Sequence, residues 1–232
     1  MKLSELFQPT INTRQMSLNF DVRGLAKKTP SDTDGMYAKV THSTRIPNEV
    51  KKTTHLLSKL AYDGYFQFVQ AIQSEMLHNP FLPKVYATDI KQAKNGQTRP
   101  SYRIEKLHKY TELPIEAIAA IGRLCFPEFD EAKFDVDPSN IDAYVHRNHH
   151  MWEAICNAIR LFTELGDTEI FGKPDQHLAA ACWLVRRTVR RLGKPFGIDM
   201  HAGNFMVRIT STGPQLVITD PIDDNGKSIV RY

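Results

Sequence analysis

Two short segments near the end of the chain constrain it more than anything before them. They read F-G-I-D-M-H-A-G-N-F-M-V-R from Phe196 to Arg208 and L-V-I-T-D-P from Leu216 to Pro221. Phe205 to Ile209 has the composition of a strand, Thr210 to Pro214 supplies turn residues, and Leu216 to Thr219 is a second apolar strand. A hairpin of this kind carries Asp220 back to Asn204, which itself follows Asp199 by five residues. Each of the three is, taken singly, an ordinary turn or cap residue. As an ordered set they bring two carboxylates and an amide to one small volume.

Hard oxygen donors gathered in this way suit a divalent cation, and a carboxylate beside them suits a base. The pattern D-x-H-x-x-N, then a strand, then D-P, matches the metal-and-base constellation of protein-kinase-like phosphotransferases. Transfer of a γ-phosphoryl group asks the protein mainly for position and positive charge. Asp199 would accept or orient the proton of the attacking hydroxyl. Asn204 and Asp220 would offer oxygen to magnesium on the phosphates of ATP.

On these residues the chain resembles the early serine/threonine protein kinases of short-tailed lytic bacteriophages, which carry close relatives of D-M-H-A-G-N-F-M and I-T-D-P. Upstream, D-G-M-Y-A-K-V, R-I-P-N-E-V-K-K and L-P-K-V-Y fall in that family's order. More distantly, the loop is similar to that of aminoglycoside and choline phosphotransferases, which also place His two residues after Asp. The resemblance implies an α+β, two-lobed, minimal protein-kinase-like fold. Residues 1–107 would form a small lobe built on an antiparallel sheet. Residues 108–232 would form a mainly helical lobe carrying the catalytic loop and the metal-binding hairpin.

A kinase of this kind needs a small-lobe lysine, and Asn48-Glu49-Val50-Lys51-Lys52 offers two. Residues two apart on a strand share a face, so Val50 and Lys52 point together while Lys51 points away. An apolar residue against adenine and a lysine on the phosphates must share one face, which selects Lys52 with Val50. The alternative is that both lysines are solvated on an edge strand. No G-x-G-x-x-G is present; Gly35, between two candidate strands, is the residue that would let backbone approach a phosphate, or it belongs to an ordinary hairpin. Thr54 to His78 has a helical apolar stripe, and Glu75 on it either pairs with the lysine or is solvated. Leu82 to Ile90 and Tyr102 to Leu107 are expected strands around the Asn95-Gly96 turn. Glu105 and Leu107 then fall in a hinge whose backbone groups would bond adenine.

Beyond the hinge, Pro114 to Cys125, Ser139 to Leu165 and Asp175 to Leu192 have helical spacing, with Ser139 and Asp175 as N-caps. Phe126 to Pro138 is acidic and irregular and reads as a surface excursion. A chain of 232 residues suffices for a sizeable core. No apolar run approaches a membrane span, and no secretory pattern opens the sequence, so a soluble protein of the host bacterial cytoplasm is expected. Cys125, Cys156 and Cys182 form neither a C-x-x-C nor an even set, and read as buried thiols. His146, His149 and His150 share a helix face but lack a convincing acidic or cysteine partner for metal. The net charge is +4, and Arg186, Arg187, Arg190 and Arg191 cluster on one helix. Without a reader motif, nucleic acid is not the expected partner.

Departures from eukaryotic protein kinases bear on regulation. Ile198 stands where an arginine would precede the catalytic Asp, Pro221 follows Asp220 in place of Phe-Gly, and the residues after it contain no A-P-E. The site is thus expected to be assembled without a phosphorylated activation loop. What the resemblance implies is a phage-type serine/threonine kinase moving the γ-phosphate of ATP to host bacterial proteins early in infection. The alternatives are a noncatalytic kinase-like inhibitor that binds a host protein, and a small-molecule phosphotransferase.

Overall fold

The computed structural model describes residues 33–34, 38–42, 46, 48–54, 60, 63–76, 78–134, 141–166 and 170–223. The chain is α+β, and its first half is organised by one antiparallel sheet. Strands β1 (Thr33–Asp34), β2 (Ala38–His42), β3 (Glu49–Thr54), β4 (Val85–Gln92) and β5 (Thr98–Glu105) lie in the order β1-β2-β3-β5-β4. Strand β3 is central: Lys52 faces Val40 on one side and Tyr102 on the other. Its pleat buries Val50 and Thr54, half-buries Lys52 and exposes Lys51, as a period of two requires.

Helix α1 (Gly64–Glu75) interrupts the sheet order between β3 and β4. The sequence predicts a longer helix from Thr54, but Thr54 ends β3, where its hydroxyl donates to the Pro100 carbonyl. The helix begins at a cap: the Asp63 carboxylate accepts from the Phe66 amide at 3.0 Å. Tyr65, Phe68, Val69 and Ile72 make its buried face. Gly64 allows that face to sit low, since a Cβ there would come within 2.8 Å of the Ile222 side chain.

Three helices follow the sheet: α2 (Ile115–Cys125), α3 (Ile141–Leu165) and α4 (Gln176–Leu192). Asp175 caps α4 as expected, accepting from the His177 and Leu178 amides; Ser139 lies outside the described residues. Helix α3 packs on both α2 and α4, and Met151, Trp152, Ile155 and Ile159 of α3 are fully buried. Each such side chain contributes about 1.5–3 kcal/mol by burial. Cys125, Cys156 and Cys182 are free and buried in this core, and burial pushes all three thiols up.

The stretch after α2 is not the plain surface excursion its acidity suggests. Phe126 and Phe129 are buried and, with Phe134 and Phe171, form an aromatic cluster. Acidic residues occupy the outer side, as Glu131 does in its pair with Arg123. No helix among the described residues is long and apolar enough to cross a membrane.

The described residues end in two small antiparallel ladders, β6 (Gly197–Ile198) with β9 (Ile222–Asp223), and β7 (Phe205–Thr210) with β8 (Gly213–Ile218). The β7–β8 hairpin buries Phe205, Val207, Leu216 and Ile218 against α2 and the rest of the core.

Candidate functional site

The two ladders determine where the three polar residues of the C-terminal motif stand. Asp199 leaves β6 and Asp220 precedes β9, and the Asp199 amide donates to the Pro221 carbonyl at 2.8 Å. Asn204 and Thr219 meet at the open end of the hairpin, where the amide and hydroxyl of Thr219 both donate to the Asn204 carbonyl, at 2.9 and 2.8 Å. The Asn204 side-chain amide donates to the Asp199 carbonyl at 2.7 Å and to its carboxylate at 3.1 Å. Spending the NH2 on the loop leaves the amide oxygen as the group that Asn204 can offer a ligand.

The loop between Asp199 and Asn204 is held from two sides. His201 accepts from the Gly203 amide through Nδ1 at 3.0 Å. A Cβ at Gly203 would lie 2.8 Å from the His201 ring, so the loop's tightness depends on glycine there. From beneath, Trp152 Nε1 donates to the Ala202 carbonyl at 3.2 Å, and the Trp152 ring stacks on Tyr110 with centroids 4.9 Å apart. Replacing Trp152 by Phe keeps most of the burial but releases the loop carbonyl. The expected result is a loss of about 1 kcal/mol in denaturant unfolding and faster proteolytic nicking near Ala202.

Lys52 reaches the same volume from the sheet. Its ammonium lies 2.7 Å from the Asp220 carboxylate across 168 residues of sequence, and 3.4 Å from the centroid of the Tyr65 ring. Together with Asn204 these groups line a cleft of about 480 Å³. Val40, Val50, Ile104, Leu107 and Met206 supply apolar lining to the same cleft. Such a lining, mostly apolar with a few converging polar groups, is what small-molecule and cofactor sites have in common.

Asp199 stands at the edge of this assembly, its side chain 43% exposed. Burial raises its carboxyl above the ordinary aspartate range. His201 and the Asn204 hydrogen bond pull it partly back, and Asp223 and Asp220 push it further up. A carboxylate so perturbed in a cleft is suited to proton traffic.

Of the residues singled out in the sequence, Lys52, Val50, Glu105, Leu107, Asn204 and Asp220 all line the one cleft, and Asn204 holds Asp199 beside it. Gly35 lies outside the described residues. Lys51 is exposed. Glu105 enters differently from the hinge expectation: its carboxylate is a buried clamp, accepting from Arg208 Nε at 2.7 Å and from the Lys84 amide at 2.8 Å, and its own amide donates to the Lys84 carbonyl at 3.0 Å, which leaves its carbonyl as the group it can offer a ligand. Arg208 also donates to the Pro80 and Leu82 carbonyls at 2.6 and 2.8 Å. The one signal for Arg208 in the sequence is a charged residue inside an otherwise apolar strand. One further residue was not legible as a site residue, since Tyr65 had no motif to mark it. Glu75 does not reach Lys52; it is exposed and pairs with Arg187 of α4.

The histidines of α3 carry no metal set, and no group of three or more metal-ligating side chains occurs among the described residues. His149 is engaged otherwise, with Tyr110 at 2.7 Å and Glu153 at 3.1 Å. No protein-family model matches the chain, and no curated protein matches it.

Proposed function

We propose that the sheet and the helical segments are the two lobes of a minimal protein-kinase-like fold whose cleft takes ATP, and that the protein is a serine/threonine kinase of the phage early type acting on host bacterial proteins. One observation carries this reading: Lys52, from a strand 168 residues away in sequence, meets Asp220 and Asn204 in one cleft that also has apolar lining, and Asn204 holds Asp199 beside it.

The donor set fits magnesium. Asp220 and Asn204 are hard oxygen donors, and magnesium characteristically takes one or two carboxylates and completes its shell with water and substrate phosphates. When bound, it would supply positive charge to the transferring phosphoryl group. The chain's own residues do the rest. Val50, Ile104 and Leu107 would sandwich a flat heterocycle, and the Glu105 carbonyl and the Leu107 backbone would bond its edge. Lys52 would hold phosphate oxygens. Asp199 would orient the acceptor hydroxyl and take its proton, and Asn204 fixes the Asp199 carboxylate while it does so.

Incubation of the protein with γ-labelled ATP and magnesium, with and without bacterial lysate, tests the reading. Label on serine or threonine of lysate proteins with wild type, and about a hundredfold less with Asp199→Asn, is the expected result. Folded wild type that labels nothing would end it. A small-molecule phosphotransferase shares every residue of the site and rests on His201 two residues after Asp199. Transfer to small hydroxyl compounds but not to proteins would select that reading instead.

The Asp199 environment also sets a pH dependence. A base must be ionised to work, so activity falls as pH drops through the raised Asp199 pKa. The acid limb of kcat/KM should therefore lie above the ordinary aspartate range, with a slope of about tenfold per pH unit. A limb at the ordinary position would mean that another group titrates.

A further inference from the structure

We infer that Tyr65 is the positioning residue for Lys52, its ring face taking the place that a helix carboxylate would otherwise fill; this rests on the phosphotransferase reading of the cleft. The lysine of such a site must be held toward the phosphates, and the obvious holder is a glutamate on the neighbouring helix. Here that glutamate is committed elsewhere. Glu75, the one acidic residue of α1, lies in its last turn and is paired with Arg187 of α4. Among the described residues Asp220 is the only carboxylate paired with Lys52, and Asp220 is itself needed at the metal end of the cleft.

Tyr65 is what α1 offers in the glutamate's place. The Lys52 ammonium sits 3.4 Å from its ring centroid, well inside the range in which the negative face of an aromatic ring attracts a cation. The ring cannot turn away easily. Tyr65 is 6% exposed, stands in the first turn of α1 next to the Asp63 cap, and meets Tyr102 edge-on at 4.9 Å and 84°. Tyr102 is the residue opposite Lys52 in the sheet, so lysine and ring are fixed to one frame. Burial, reinforced by Asp220 and Asp63, keeps the Tyr65 hydroxyl protonated. The ring therefore acts as an uncharged partner. It holds the ammonium without adding an anion that would repel phosphate, and it stays in place when Asp220 is drawn to a cation.

The first readout needs no nucleotide. In protein labelled with 13Cε-lysine, the Lys52 Cε–H resonance should be shifted upfield by the ring current in wild type and Tyr65→Phe, and the shift should vanish in Tyr65→Leu. The second is kinetic. Tyr65→Leu should raise the KM for MgATP and lower kcat/KM about tenfold, while Tyr65→Phe stays within about threefold. Trifluorophenylalanine at position 65 preserves the ring while draining its face of negative charge, and should fall between the two. In a Lys52→Met background, Tyr65→Leu should cost nothing further, because the ring acts through the lysine.

An absent upfield shift in wild type, a shift that survives Tyr65→Leu, or a Tyr65→Leu effect that persists fully in the Lys52→Met background would each overturn the inference. Phe and trifluorophenylalanine variants with equal kinetics would overturn it too. A wild-type protein that has the ring-current shift but transfers no phosphate would sink the kinase reading and leave the lysine–ring contact standing.

Discussion

Asp220→Asn is expected to reduce phosphoryl transfer by about a thousandfold, the size of effect seen when a principal electrostatic group is removed from a transition state. The substitution is nearly isosteric, but it removes the one carboxylate among the described residues that both faces the cleft and pairs with Lys52. Stability should change little. The Asp220 side chain is 40% exposed, and an ion pair open to solvent on one side contributes on the order of 1 kcal/mol or less. Lys52 would keep its contact with the Tyr65 ring. Turnover with labelled ATP, read beside the unfolding midpoint, checks both halves. A variant with full activity would remove Asp220 from the metal site, and one that melts far below wild type would make it a structural residue.

The largest effect on stability should come from Arg208→Ala. Arg208 and Glu105 leave only 11% and 7% of their side chains exposed, and the arginine is the shared donor for the Glu105 carboxylate and for the Pro80 and Leu82 carbonyls. Removing it strands a buried carboxylate, which costs about 3–5 kcal/mol. The double variant Glu105→Leu, Arg208→Met should recover part of that loss, since it removes the stranded charge and refills the volume. Chemical denaturation of the two single variants and the double variant gives the coupling directly. A single-variant loss below about 1 kcal/mol would mean that water reaches Glu105 and replaces the arginine.

What could be read from the sequence divides along physical lines. Asp199, Asn204 and Asp220 were legible because they are close in sequence and because Thr210 to Pro214 announces the turn between β7 and β8, which spans Ser211 and Thr212. Lys52 was separable from Lys51 because strand alternation is a local rule. The start of α1 was misjudged because helical spacing continues back through residues whose backbone is spent in β3; Asp63 before Gly64 was the available cap signal. The partners of Glu75 and Glu105 are arginines more than a hundred residues later, and no local pattern encodes such a pairing. The two-residue ladder β6–β9 is too short for any periodicity, although it joins Asp199 to Asp220. Phe126 to Phe134 misled because charge dominates its composition while three phenylalanines anchor it.

Helix α1 starts where Gly64 lets it approach Ile222, and there the buried Tyr65 meets Tyr102 edge-on and carries its ring to the Lys52 ammonium. A ligand entering the cleft meets a cation whose orientation has already been settled by folding, so little of its binding free energy goes into ordering the protein.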